Sequence, residues 1–179
     1  MFRLFKSVNE AQKIKAMLEK PPTDLDTNEF ILSVAGRLGF FFYWIFDNAQ
    51  ILAKLRLLKR PAKDFVKPSM FFWWLAIVFT LALNISKLVK LRKLQRNIRI
   101  TLSKEPEQKP DFEPKIRSIT LQKNAAIRNI IKCIGDLFPS SAGWGLTDAL
   151  GLKVTDSQIG LGGLVSALIV CWEVYPSRK

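Results

Sequence analysis

The amino-acid sequence predicts an all-α protein: a membrane-embedded helical bundle with amphipathic helices and one or two transmembrane helices. Its 28 lysines and arginines outnumber 15 acidic residues, which gives a net charge of +13, yet 49% of the residues are hydrophobic. The apolar residues are segregated from the charged ones, and two uncharged runs occupy residues 68–86 and 157–172. A basic, apolar chain patterned in this way is typical of a protein that lies in or against anionic lipid.

Residues 1–60 are expected to form two amphipathic, membrane-active helices. In the first, a projection at about 100° per residue gathers apolar side chains on one side, with Ile14 at the margin: Leu4, Val8, Ala11 and Leu18. Basic residues occupy the opposite side, namely Arg3, Lys6 and Lys13, although Lys15 interrupts the apolar side. Two interpretations are equally open. The helix lies in the membrane interface, or it is an ordinary surface helix that covers a protein core.

The second helix is predicted over residues 29–59, after Pro21 and Pro22 end the first. Residues 40–46 are apolar or aromatic all round, but Arg37 and Asp47 bracket them too closely for a clean membrane span. We therefore expect shallow insertion or a buried position in the bundle.

Residues 61–102 are predicted to form a transmembrane helix with a basic amphipathic extension. The uncharged run of 19 residues at positions 68–86 would be roughly 28 Å long as a helix, close to the ~30 Å hydrocarbon core. Trp73 and Trp74 fall near the interfacial level that such rings prefer. The alternative is a buried helix in a soluble core. The extension carries cations that would attract anionic headgroups: Lys87, Lys90, Arg92 and Lys93.

Residues 103–115 are predicted to be a charged, proline-rich linker. Pro106, Pro110 and Pro114 fall within nine residues, and prolines at this density argue against a helix. Helical spacing resumes at residues 116–138 and is expected to break at residues 139–145, PSSAGWG.

Residues 116–179 are predicted to hold an amphipathic helix and a glycine-rich membrane helix. The uncharged run at residues 157–172 is marginal for spanning, at about 24 Å of helix. Gly163, Ala167 and Cys171 repeat every four residues, as do Gly162 and Ser166. Small residues at this spacing favour close packing against another membrane helix. The alternative is a flexible glycine hinge ahead of a short apolar helix.

The residue types that catalysis requires are scarce, so we expect no enzyme and no cofactor or metal. The sequence has no histidine, the commonest general base and neutral metal ligand. Cys133 and Cys171 are isolated from each other, which fits a reducing compartment. Residues 1–20 lack the continuous apolar stretch of a secretory signal. The basic runs adjoin no base-reading module, so we expect no nucleic-acid partner.

Three segments resemble the peroxisomal biogenesis factor 11 family, the peroxins that elongate the peroxisomal membrane before division. They are the opening FRLFKSVNEAQKIKAM, the segment GRLGFFFYWIFDNAQILAKL at residues 36–55, and a C-terminal segment containing GDLFP and GLGGLVSALI. Together they cover most of the chain, and the charged linker has no counterpart. Family members commonly have more residues ahead of the opening helix than this sequence does.

The resemblance implies a peroxisomal membrane protein that inserts amphipathic helices, bends the membrane, forms homo-oligomers and helps to recruit the organelle fission machinery. It assigns a membrane-wedge role to Leu4, Phe5, Val8, Ala11, Ile14 and Leu18. It assigns attraction of anionic phospholipid to Arg3, Lys6 and Lys13, and helix packing to Gly160, Gly163 and Ala167.

Two other functions are compatible with a helical membrane protein. One is a pore or carrier for small anionic metabolites. The absence of an internal charge in both predicted spans argues against this function. The other is a passive anchor, which would not require an amphipathic opening helix. Basic clusters flank the first span on both sides, so the positive-inside rule leaves the topology open.

Overall fold

The computed structural model describes residues 5–105 and 109–175, and all regular structure in these ranges is helical. The helices are α1 (Lys6–Glu19), α2 (Thr27–Lys54), α3 (Lys63–Lys104), α4 (Lys109–Trp144), the short α5 (Leu146–Ala149) and α6 (Asp156–Val174). The all-α fold class is confirmed.

The long helices pack side by side in chain order, each antiparallel to the one before it. Gly36 of α2 faces Thr80 of α3, while Phe46 stacks on Phe72. Near one end of α3 the Lys123 Nζ donates to Gln95 Oε1 at 2.6 Å, and at the other end Gly143 lies against Met70. Helix α6 packs on α4, and α1 packs on α2.

Local sequence signals explain where two of these helices begin. The Asp26 carboxylate accepts a hydrogen bond from the Glu29 backbone N–H at 2.8 Å and so caps α2. Thr155 and Gln158 form a reciprocal capping box that starts α6. Helix α4 ends at Gly145, whose φ of 90° lies in the left-handed region that glycine adopts without strain.

Among the described residues three helices, rather than the predicted one or two, are long and apolar enough to cross a membrane by length and composition: α2, α3 and α6. The sequence reasoning had set α2 apart from the clean spans because of its charges. Within α2, Arg37 is paired with Glu10 of α1, and Asp47 is buried in the bundle. Both charges are therefore shielded by parts of the chain that a local window does not include.

The predicted linker at residues 103–115 and the predicted break at residues 139–145 were both placed wrongly in part. Helix α4 begins at Lys109, inside the linker, and runs through Pro114 and Pro139 to Trp144. Pro110 falls in the first turn, where backbone N–H groups have no helical partner. At Pro139 the lost donor leaves the Gly135 carbonyl without its helical partner, and that oxygen faces Gly162 of α6.

Much apolar surface stays exposed on the outside of this bundle. On α6, Leu161, Leu164 and Leu168 are 63%, 57% and 60% exposed, and Trp172 is 79% exposed. In the part of the chain that the structure describes, six apolar residues are buried: Ala76, Ile77, Ile98, Ile119, Ala126 and Cys133. Contiguous apolar surface of this extent needs a non-aqueous neighbour, which a bilayer provides.

Candidate membrane-active surface

Helix α1 is attached to α2 through its polar side. Arg37 Nη1 donates to Glu10 Oε2 at 3.1 Å, and Lys13 Nζ donates to Glu10 Oε1 at 2.7 Å. One helical turn or so earlier, Lys6 Nζ lies 4.2 Å from the centre of the Trp44 ring. These contacts hold an ammonium over an aromatic face and a carboxylate between two cations. They fix which side of α1 faces away from the bundle.

The side of α1 that faces outward carries the predicted wedge residues. Phe5, Val8 and Leu18 are 71%, 51% and 59% exposed, Ala11 is exposed, and Ile14 is half-buried at the edge of the α2 contact. An open groove of about 440 Å³ continues this apolar side onto α2, where Leu38 and Phe41 line it. The wedge residues thus form one apolar surface with part of α2. Leu4 and Arg3 lie outside the described residues.

The predicted lipid-binding cations fall into two groups. Lys6, Lys13 and Lys90 are engaged by other side chains, whereas Lys87, Arg92 and Lys93 form no ion pair within the part of the chain that the structure describes. Arg92 and Lys93 are exposed on the extension of α3. These two are the cations most available to an anionic headgroup.

Lys90 is held by two carboxylates, so its charge is already compensated. Its Nζ lies 2.8 Å from Asp26 Oδ2 and 2.7 Å from Glu29 Oε2, and Ser86 Oγ donates to Glu29 Oε1 at 2.9 Å. The hydrogen bond from Lys90 lowers the pKa of Asp26 below its usual value. Glu29 is almost fully buried, at 1% exposure. Lys90 therefore ties α3 to the start of α2, and its charge is less available to lipid than the charges of Arg92 and Lys93.

The α2–α3 contact depends on glycines that the sequence reasoning did not assign. A Cβ at Gly39 would lie 2.8 Å from Ala76 Cβ and 2.9 Å from Ala76 Cα, so only glycine fits at this separation. The signal was present in the GRLG segment, where Gly36 and Gly39 are three residues apart. Aromatic rings beside this contact then fill the space towards the start of α3, among them Phe42, Phe46 and Phe72.

Helix α6 uses a different small face within the chain from the one that was assigned to packing. Gly162 and Ser166 are buried against α4, where a Cβ on Gly162 would lie 2.6 Å from the Gly135 carbonyl oxygen. By contrast, Cβ positions at Gly160 and Gly163 have nothing within 4 Å, and Ala167 is exposed. The packing of α6 on α4 is therefore not made by Gly160, Gly163 and Ala167, which lie on the outer side of the bundle.

No group of three or more metal-ligating side chains is gathered among residues 5–105 and 109–175. Cys133 is buried and Cys171 is exposed, and both are free thiols.

Comparison with known proteins finds a family that the chain resembles over most of its length. Residues 1–175 match the model of the family described as peroxisomal biogenesis factor 11. A peroxisomal membrane protein 11 homolog from Dictyostelium discoideum is 23% identical over 187 aligned positions, which cover 98% of this chain and 73% of the relative. No solved structure matches the chain.

Proposed function

This chain belongs to the peroxisomal biogenesis factor 11 family, and on that premise we propose that it bends and elongates the membrane by inserting α1 into one leaflet. It is a peroxisomal membrane protein that acts in peroxisome biogenesis. The proposed outcome of the bending is peroxisome proliferation and fission. The role is structural rather than enzymatic, with anionic phospholipid as the binding partner.

One observation carries the proposal: α1 is attached by its polar side and turns its apolar side outward. A surface helix of a globular protein normally turns its apolar side towards the protein core. Here the Glu10 carboxylate pairs with Arg37 of α2, while Val8 and Leu18 are exposed and face away from the bundle. This arrangement leaves the apolar side free to enter acyl chains while its cations stay near headgroups.

The mechanism follows from where such a helix sits in a leaflet. An amphipathic helix sinks its apolar side to the boundary between headgroups and acyl chains, about 5–10 Å deep. It expands the headgroup layer more than the acyl layer, so the leaflet curves away from the helix. Helices α3 and α6 supply long apolar stretches that keep the chain in the membrane. Arg92 and Lys93 add attraction to anionic lipid, at about 1 kcal/mol per charge.

Reconstitution of the purified full chain tests the proposal. Added to vesicles that contain anionic lipid, the protein should draw them into tubules visible by electron microscopy. Vesicles that incorporate the protein and stay spherical would contradict it.

Self-association is the second part of the proposal, because curvature over an organelle requires many copies acting together. Gly163, Ala167 and Cys171 share one side of α6, distinct from the side that packs on α4 through Gly162 and Ser166. Small residues there would let a second copy approach closely. Such assemblies would also present a repeated surface to the organelle fission machinery.

Replacing both Gly163 and Ala167 by Leu is expected to lower the yield of dimer about tenfold, since the added bulk separates the helix backbones. Cys171 lies on the same side and is exposed, so a thiol crosslinker in the membrane reports the contact directly. Ser157→Leu, which adds the same bulk at the start of α6 and off this repeat, is the matched control. An unchanged crosslink yield in the double variant would exclude this interface.

A further inference from the structure

A polar cavity of about 340 Å³ lies where α3 leaves its uncharged stretch, between the start of α2, the middle of α3 and the first half of α4. Apolar groups in its wall come from Leu25 just before α2, from Leu91 of α3 and from Ala125 and Ala126 of α4. Seven polar side chains also lie in the wall: Asp24, Glu29, Asn84, Lys87, Lys90, Gln122 and Asn129. The volume is at the lower end of the range that small ligands occupy, roughly 300–1,000 Å³.

The position of the cavity sets its environment. Lys87 is the first residue after the uncharged residues 68–86, whose length matches the hydrocarbon core. A charged residue at that point in a spanning helix lies at the level of the headgroups. The cavity therefore opens where a phospholipid headgroup and its glycerol are found, and Leu25 and Leu91 give it an apolar part.

Two opposite charges in the wall are uncommitted. Lys90 is compensated by Asp26 and Glu29, as described above. Lys87 and Asp24 form neither an ion pair nor a hydrogen bond with any described residue, although both line the same cavity. A ligand that satisfies both must carry an anion and a cation a short distance apart.

The overall charge of the wall argues against a simple anion site. The carboxylates of Asp24 and Glu29 balance the ammonium groups of Lys87 and Lys90 in the wall, so the wall is neutral overall. A bound anion would leave Asp24 without a partner and give the site a net negative charge. A zwitterion leaves the balance unchanged and pairs both free groups.

We propose that this cavity binds a phosphoethanolamine headgroup, with its phosphodiester on Lys87 and its primary ammonium on Asp24. A primary ammonium has three N–H donors for the carboxylate, whereas the quaternary ammonium of phosphocholine has none. The inference rests on the proposed contact of Lys87 with lipid and on the membrane location, but not on the wedge role of α1. It changes the partner of Lys87 from anionic lipid in general to one headgroup.

Native mass spectrometry of the detergent-solubilised full chain tests this with equal amounts of phosphatidylethanolamine, phosphatidylcholine and phosphatidylglycerol. We expect phosphatidylethanolamine to be retained about tenfold over the other two, the difference that one charge-assisted hydrogen bond makes. Lys87→Met should lower its retention about tenfold. Asp24→Asn should remove the preference over phosphatidylglycerol. Lys153→Met, at an exposed lysine outside the cavity, is the control and should retain phosphatidylethanolamine like the unmodified chain.

Equal or stronger retention of phosphatidylglycerol would overturn the proposal, as would Lys87→Met and Asp24→Asn variants that behave like Lys153→Met. Circular dichroism of each variant establishes that a lost signal is not a loss of fold. Soluble glycerophosphoethanolamine should compete only weakly, and equal competition would assign the site to a soluble phosphodiester instead of a lipid. The tubulation assay separates the two proposals, because Lys87→Met should still form tubules while Val8→Glu should still retain phosphatidylethanolamine.

Discussion

Replacing Val8 and Leu18 by Glu is expected to reduce tubule formation on anionic vesicles about tenfold or more, while the protein stays inserted. Both side chains are more than half exposed on the outward side of α1. Moving a side chain of this size out of water is favourable by about 1.5–3 kcal/mol, and a carboxylate at the same place opposes insertion instead. Helices α3 and α6 are unchanged, so the chain remains in the membrane.

Asn9→Glu is the matched control for either single substitution, Val8→Glu or Leu18→Glu, since it adds one carboxylate to an exposed position on the polar side of α1. It should form tubules as the unmodified chain does. Tubules counted by electron microscopy at equal protein per lipid measure the effect. If the Val8 and Leu18 variants form as many tubules as Asn9→Glu, the apolar side of α1 does not drive curvature.

The second large effect is expected at the closest approach of α2 and α3. Gly39→Ala would place a Cβ 2.8 Å from Ala76 Cβ, and the helices must separate to admit it. Overpacking of this kind costs about 1–3 kcal/mol of stability. We expect the variant to unfold at a lower temperature in detergent micelles. Circular dichroism of the helical signal measures this unfolding temperature.

Gly163→Ala is the control for this substitution, because nothing lies within 4 Å of its Cβ position. Both variants gain the same intrinsic helix propensity, so their difference reports the contact with Ala76. The exchange Gly39→Ala with Ala76→Gly should recover little of the lost stability, because the new Cβ would still lie 2.9 Å from the Cα and N atoms of residue 76. Equal melting of the Gly39 and Gly163 variants would contradict the close α2–α3 contact.

The sequence predicts the helical fold and the first span well, because both depend on local patterns. Residues 68–86 lack any charge, and no distant contact is needed to interpret them. The same holds for α1, where the apolar side predicted from Val8 and Leu18 is the side that the structure leaves outward.

In α2 one charge is paired with a distant residue and another is buried, and neither fact is evident from the local sequence. Arg37 forms an ion pair with Glu10, which is 27 positions earlier in the chain, and Asp47 is buried in the bundle. A local window counts both as free charges. Only the packing of α1 and α3 on α2 removes them from the apolar surface.

On α6, the sequence pattern does not distinguish between two sides that both carry small residues. Gly163 with Ala167 and Gly162 with Ser166 both repeat every four residues, so periodicity cannot choose between them. The choice is made by Gly135, whose carbonyl has no helical donor because Pro139 stands four residues later. That combination lies on another helix and has no local signature on α6.

The proposal that α1 inserts its apolar side into the leaflet is tested most directly by the depth of α1 in a membrane that the full chain has drawn into tubules. Single spin labels at positions 8, 9 and 18, each introduced as cysteine after Cys133→Ala and Cys171→Ala, report depth by their accessibility to oxygen and to a water-soluble relaxation agent. If α1 is inserted by its apolar side, the labels at positions 8 and 18 lie among the acyl chains and the label at position 9 lies in the headgroup region or water. Three labels with equal aqueous accessibility would contradict it.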